Sequence, residues 1–180
     1  MIEILERLDV LAHARLDLSD LSLSGVPYGS RAADTVARDR IEFVSFSPIV
    51  RRTLSGTAID SVYYGADGER LPPDRVVDSV IGADGVLHLS DKTSYKIVGG
   101  SVRGFAIYGA DRGHLAHFGF LRSHDRFVAL FGIADRVEES RTYGDLLGYW
   151  HHFKDPEKVV YWESWDEDGA GQLSSISLGD

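Results

Sequence analysis

The side chains that could do chemistry here are histidines and carboxylates, because the 180-residue chain has seven histidines and no cysteine. Disulfides, thiolate nucleophiles and iron–sulfur clusters are therefore excluded. His114-Leu115-Ala116-His117, with His124 beyond it, is the densest imidazole group. A zinc centre needs three or four converging ligands. An extended segment over 114–118 points His114 and His117 to opposite faces, and His151-His152 faces the same difficulty. Asp166-Glu167-Asp168-Gly169 opens like a calcium loop, yet the twelfth position, where a bidentate glutamate belongs, is Ser177. A solvated turn is the plainer reading.

Nucleophilic and phosphate chemistry find less. There is no Gly-Xaa-Ser-Xaa-Gly elbow, and Gly99-Gly100-Ser101 reads as a hairpin. Gly65-Ala66-Asp67-Gly68 lacks the lysine and the helix of a phosphate loop. The carboxylate pairs Glu138-Glu139 and Glu163 with Asp166 have no pocket that sequence can assign. No cofactor is called for.

An aromatic cluster says more. Tyr143, Tyr149, Trp150, Phe153, Tyr161, Trp162 and Trp165 crowd one stretch that holds all three tryptophans. Period two along a strand puts Tyr161, Glu163 and Trp165 on one face and Trp162 with Ser164 on the other. One face must enter the core. The other leaves large aromatics near solvent, ringed by acid, which is the make-up of an interface anchor with a charged rim. Tyr161, Trp165, Trp150, Glu163, Asp166, Glu167, Asp168, Glu138 and Glu139 are the expected partner-binding residues. Core filling competes for each aromatic taken singly.

The elements that must hold these residues follow from periodicity. Apolar steps at Ile2, Leu5, Leu8 and Leu11 predict an amphipathic helix over 2–16. A strand-like lead-in follows over 17–24, then Gly25-Val26-Pro27-Tyr28-Gly29, then a helix capped by Ser30 and running to about Ala37. Strands are expected from Ile41 to Val50, Ile59 to Tyr64, Val86 to Leu89, Tyr95 to Val98 and Val102 to Tyr108, with Gly99-Gly100 a hairpin turn. Val76, Val77, Val80 and Ile81 fall between the Pro72-Pro73 and Gly82–Gly85 breaks without an assigned element. His114 to Phe118 reads as a short strand, and Ser123 caps a helix from His124 to Phe131 that Gly132 closes. Lys154-Asp155-Pro156-Glu157 is a turn, and strands run from Val159 to Trp165 and from Leu173 to Leu178.

The fold class is α+β: an antiparallel sheet of hairpins with short helices on one face. Gly29-Ser30-Arg31 and Gly119-Phe120-Leu121 open similar helix starts, and Gly100-Ser101-Val102 parallels Gly171-Gln172-Leu173. One domain over 1–180 is expected, built as an N-terminal helix and two unequal tandem repeats at about 22–109 and 110–180. The extra residues of the first unit fall in the loop-rich run from Gly65 to Gly85.

The second half, from Phe118-Gly119 through Phe131-Gly132-Ile133-Ala134-Asp135 to Ile176-Ser177-Leu178, resembles the helix-plus-sheet unit of the β-lactamase inhibitory protein and the small outer-membrane-assembly lipoproteins. The first half departs from it, since Arg38-Asp39-Arg40 follows Val36 where a Gly-Xaa-Pro exit belongs. The lipoprotein branch does not fit a chain without cysteine and with an acidic start at Met1-Ile2-Glu3. The resemblance implies a protein-binding module of the kind seen among immunity proteins that neutralise polymorphic bacterial toxins.

Bulk charge narrows the partner. A formal charge of -9 and a pI near 5.2 oppose non-specific nucleic-acid binding, which needs a basic footprint. They suit a basic protein partner. No run approaches the roughly 20 apolar residues of a membrane span, and the expected place is the cytoplasm. The expected function is a non-enzymatic inhibitor that occludes a basic toxin or effector. Two alternatives stand beside it: a small metal- or ligand-dependent enzyme using His114, His117 and His124, and a structural homodimer with a self-complementary aromatic surface.

Overall fold

The computed structural model describes residues 1–45, 50–53, 61–64, 68–109, 113–141, 147–164 and 170–179. In chain order the first strands are β1 (Ile2–Glu3), β2 (Leu21–Leu23) and β3 (Val26–Pro27), followed by helix α1 (Ala32–Thr35). Next come β4 (Ile41–Ser45), β5 (Val50–Thr53), β6 (Ser61–Tyr64), β7 (Arg70–Leu71) and helix α2 (Pro73–Gly82). Strands β8 (Gly85–Leu89), β9 (Thr93–Val98) and β10 (Ser101–Tyr108) precede helix α3 (His124–Phe131). The chain ends with β11 (Arg136–Arg141), β12 (Leu147–Lys154), β13 (Glu157–Ser164) and β14 (Gly171–Leu178). The protein is α+β, and apart from the parallel pair β1–β2 its paired strands are antiparallel.

Two compact units divide it: Met1–Tyr28 with Gly104–Asp180, and Gly29–Arg103. The boundary falls inside β10, whereas the sequence placed its division near residue 110.

In the unit Gly29–Arg103, β4, β8 and β9 form an antiparallel ladder, and β5, β6 and β7 form another. Helix α2, unassigned by sequence, packs on β4 and β8 through Val76, Val80 and Ile81. Pro73 occupies its first turn, where a missing N–H costs nothing. The Gly99-Gly100 turn has φ of 56° and 73° at its two glycines, the left-handed pair that closes a tight hairpin. Helix α1 is only four residues long and is preceded by Arg31, with no side-chain cap from Ser30. Arg31 is held extended by a β-bridge to Ser101, so the helix begins only at Ala32, and the expected run to Ala37 ends at Thr35, where Val36 turns to extended backbone.

In the other unit the predicted helix over 2–16 does not form. Ile2 and Glu3 pair in parallel with Leu21 and Ser22, and only Leu8–Ala12 coils, as a 3-10 turn. The Glu3 carboxylate explains the choice. It accepts hydrogen bonds from the backbone N–H groups of Ser24 (2.7 Å) and Gly25 (2.9 Å) and from Ser22 Oγ (3.0 Å). Both turn residues hold positive φ, so this carboxylate clamps the β2–β3 turn. The apolar residues still bury, with Ile4, Val10 and Leu11 in the core.

The main sheet of this unit runs β11-β12-β13-β14-β10, each neighbouring pair antiparallel. Register partners point to the same side of a sheet. Its first face carries His151, Val160, Trp162, Leu173, Ile176, Leu178, Phe105 and Ile107, almost all buried. Helix α3 packs here, Phe127 lying 5.3 Å from Trp162 and 4.6 Å from His151 between ring centres. Ser123 caps α3 by accepting from the Arg126 N–H, and Gly132 closes it at φ +86°. A bulge between Tyr161 and Trp162 leaves Ser174 unmatched, which swings Leu173 onto the core face beside Trp162.

Candidate functional site

The turn Lys154-Asp155-Pro156-Glu157 pairs Lys154 with Glu157 and thereby fixes every other pair of the β12–β13 hairpin. Counting back along both strands brings Trp150 opposite Tyr161, and the rings stack at 4.1 Å with 27° between planes. The row continues on both sides: Glu138 of β11 is opposite Trp150, Ser175 of β14 is opposite Tyr161, and Tyr108 of β10 is opposite Ser175. This is the second face of the sheet, away from α3.

Neighbouring rows supply polar groups. On one side lie Arg136, His152 and Ser177; on the other lie Gly148, Glu163 and Gln172. Arg136 pairs with Glu138, and its guanidinium also donates to His152 Nδ1 at 3.3 Å. Guanidinium can only donate, so Nδ1 accepts and the ring proton of a neutral His152 sits on Nε2. That nitrogen is 3.5 Å from Glu138 Oε2. Glu163 accepts from Gln172 Nε2 at 3.3 Å.

Two glycines make the packing possible. A Cβ at Gly148 would overlap the Tyr161 phenol, which lies across that position. A Cβ at Gly171 would overlap the Glu163 carbonyl and press on the Trp162 indole. No other residue type fits either place without shifting an aromatic ring.

Of the expected partner-binding residues, the sheet gathers Trp150, Tyr161, Glu163 and Glu138 on this one face. Tyr161 is 8% exposed, which corrects the expectation of an exposed anchor: the stack on Trp150 and the gap at Gly148 take it in. Trp150 remains half-buried. Glu139 is exposed but pairs with Tyr149 and so lies on the face of α3, opposite Glu138. Trp165, Asp166, Glu167 and Asp168 lie outside the described residues. Sequence reasoning passed over Arg136 and weighed His152 only as a metal ligand, although counting outward from the Asp155-Pro156 turn and across to β11 would have placed both on this face.

The histidines sort differently from the expectation. His114–Phe118 is a 3-10 helix, not a strand, so His114 and His117 stand on the same side rather than on opposite faces. The short run coils because Gly113 and Gly119 flank it, and Leu115 and Phe118, one turn apart, turn into the core. His124 is elsewhere, at the head of α3, its ring centre 5.2 Å from that of His151. Among the described residues no three His, Cys, Asp or Glu side chains converge in a metal-binding group. His151 is 3% exposed, and its Nε2 has no hydrogen-bond partner. Burial, and then the neighbouring His124 and His152, push its pKa down to about 4.

A buried cation lies under the same face as α3. Lys158 is 1% exposed; its Nζ donates to the carbonyls of Leu11 (2.8 Å) and His13 (3.4 Å). The ammonium stands 4.9 Å from the Phe153 ring centre and 5.3 Å from that of Phe131. Burial lowers its pKa to about 8. This side chain pins the N-terminal segment to β13.

An open groove of about 600 Å³ runs between the segment Arg15–Ser19 and the turn Lys154–Glu157. Its cations, Arg15 and Lys154, and its carboxylates, Asp17, Asp155 and Glu157, are all exposed. Such a mixed, solvated rim selects no one ligand charge.

Among the described residues no helix is long and apolar enough to cross a membrane. Comparisons of the chain with family models, with curated proteins and with solved structures gave no match.

Proposed function

We propose that the protein is a non-enzymatic protein-binding domain, an immunity-type inhibitor that occludes a basic toxin or effector in the cytoplasm. One arrangement carries the reading: Trp150, half-buried and backed by Tyr161, with Glu138 and Glu163 on its flanks. A rigid, stacked indole is a low-entropy anchor, and carboxylates around it favour lysine or arginine on the partner. The net charge of -9 adds long-range attraction for such a partner. The resemblance to two-repeat inhibitor modules points the same way.

In this reading Tyr161 supports Trp150 from beneath and need not touch the partner. The carboxylates steer encounter, while the indole governs dissociation. Trp165, Asp166, Glu167 and Asp168 stay in the proposed partner-binding set on their residue types alone.

Co-expression with the product of the reading frame beside its gene tests the proposal. A toxic product neutralised by the wild-type chain and released by Trp150→Ala supports it. A product without toxicity, or neutralisation untouched by Trp150→Ala and Glu163→Lys together, overturns it.

A further inference from the structure

Strand β11 is the outermost strand of its sheet, and among the described residues it pairs with β12 alone. Proteins blunt such edges with proline, bulges, charged side chains or very short strands, because unpaired N–H and C=O groups template another strand. Over Arg136–Arg141 charge is the one such guard, and a charged edge still admits a strand of complementary charge. Its six residues pair with Leu147–His152 in unbroken register, without bulge, proline or lysine. The residues from Arg136 to Glu139 are all exposed.

Apolar surface accompanies the edge. Val137 is 50% exposed, and Ile133, on the link from α3 into β11, is 90% exposed. Leu130, in the last turn of α3, is the third exposed apolar residue of this stretch. Val137 is on the α3 face, since its partner is His151, and Glu138 is on the opposite face with Trp150. An added strand would therefore meet an apolar contact on one side and a carboxylate beside the indole on the other.

The charge pattern chooses the occupant. Antiparallel pairing of two copies over the full strand would set Arg136 against Arg141 and Glu138 against Glu139, like against like at every charged position. A second copy is disfavoured in that full-length register. A segment with adjacent basic residues opposite Glu138 and Glu139, and an apolar residue opposite Val137, matches all three.

We infer that the partner docks by adding an extended basic segment as a strand to the open edge of β11. This rests on the basic-partner reading above and specifies how that partner arrives. Main-chain hydrogen bonds would give the affinity, and the carboxylates would set the register.

The probe is the capped synthetic peptide Glu-Thr-Lys-Lys-Val-Glu, added to the full chain at low ionic strength and followed by backbone amide NMR and hydrogen exchange. The expected result is slowed exchange and shifted amides in residues 136–141, absent with Glu-Thr-Glu-Glu-Val-Glu. Glu138→Lys with Glu139→Lys should weaken the peptide by about tenfold or more. Alternate strand residues send their N–H to the open edge, so one of Val137→Pro and Glu138→Pro leaves the β11–β12 ladder intact. Whichever keeps the native spectrum must lose the peptide; if neither folds, the double lysine variant decides. Peptide bound at Trp150 with β11 unprotected overturns the edge inference and leaves the basic-partner reading standing. Neutralisation of the neighbouring toxic product that survives the double lysine variant but not Trp150→Ala separates the two in the same way. Protection of β11 in a concentration-dependent dimer without peptide also overturns it, in favour of a second copy.

Discussion

Trp150 and Tyr161 lie against each other from adjacent strands at 4.1 Å, and the space that lets them do so is the missing side chain of Gly148. The stack therefore depends on a residue two positions away on the same strand. Gly148→Ala forces the Tyr161 phenol aside, and an overpacked site of this kind costs about 1–3 kcal/mol. Urea unfolding monitored by fluorescence should show that loss. Combining it with Tyr161→Ala should give less destabilisation than the sum of the two single changes, because the overlap disappears. Strict additivity would separate Gly148 from the stack.

Acid should weaken the fold through His151. Its folded pKa of about 4 is below the ordinary 6.5, so between these values the unfolded chain binds the proton and the native one does not. Stability from this group is full above pH 6.5 and is lost as pH falls towards 4. The upper bound is about 3 kcal/mol. Denaturation midpoints at pH 7 and pH 4.5 give the slope, and His151→Phe should flatten it. An unchanged slope in that variant would assign the acid sensitivity to other groups.

Lys158 should act at the other end of the pH scale. Its folded pKa of about 8 is below the ordinary 10.5, so the unfolded chain holds more protons between the two and stability gains from this group as pH rises through that window. Lys158→Met should lack the gain. At pH 7 the same variant gives up two carbonyl hydrogen bonds but also removes a buried charge, so its net change should stay within about 2 kcal/mol. Lys158→Ala, which also empties the space between Phe131 and Phe153, should cost about 3 kcal/mol or more. A stability gain between pH 8 and 10.5 in Lys158→Met as large as that of the wild type would refute the assignment.

How much of this was legible beforehand depended on whether a segment is held by its own pattern or by a distant partner. Helix α3 carried Ser123 at its start and Gly132 at its end, and both behave as those residue types dictate. The Gly99-Gly100 hairpin was equally plain. The 2–16 segment misled because apolar steps of three suit a 3-10 turn as well as a helix, and because the Glu3 carboxylate is spent on Ser24 and Gly25, some twenty residues away. Helix α2 hid behind Pro72-Pro73, which reads as a break although Pro73 begins the helix. Strand β11 has no apolar alternation, since an exposed edge is held by backbone pairing and polar contacts rather than by burial. The candidate site was half visible: the residue types stood out, but which of them share a face needed the register and the bulge at Tyr161 and Trp162.

Glu3 offers a direct check on that distant partnership. Glu3→Ala leaves the N–H groups of Ser24 and Gly25 and the hydroxyl of Ser22 without their acceptor. With the Leu5 N–H (3.4 Å) four donors lose a charged acceptor, although Ser22 Oγ keeps the Ile2 carbonyl, and the loss should cost about 2 kcal/mol in this part-exposed setting. Glu3→Gln keeps one acceptor oxygen and should recover part of it. Hydrogen exchange at Ser24 and Gly25 should speed up in both variants, and unaltered exchange would mean that water replaces the carboxylate without loss.

Binding kinetics separate the anchor from its rim. Trp150 is the large desolvated surface of the second face, so Trp150→Ala should raise the dissociation rate of the partner by about tenfold or more and leave association nearly unchanged. Glu163 is part-exposed and accepts from Gln172, so Glu163→Gln should slow association by about two- to fivefold at low salt. That second effect should fade as salt shortens the Debye length to about 3 Å at 1 M, whereas the tryptophan effect should persist. Tyr161→Phe keeps the stacked ring and should leave both rates near the wild type, while Tyr161→Ala, which removes the support under Trp150, should behave like the tryptophan variant. A Tyr161→Phe chain as weak as Tyr161→Ala would place the phenol itself in the interface and move the working surface off Trp150.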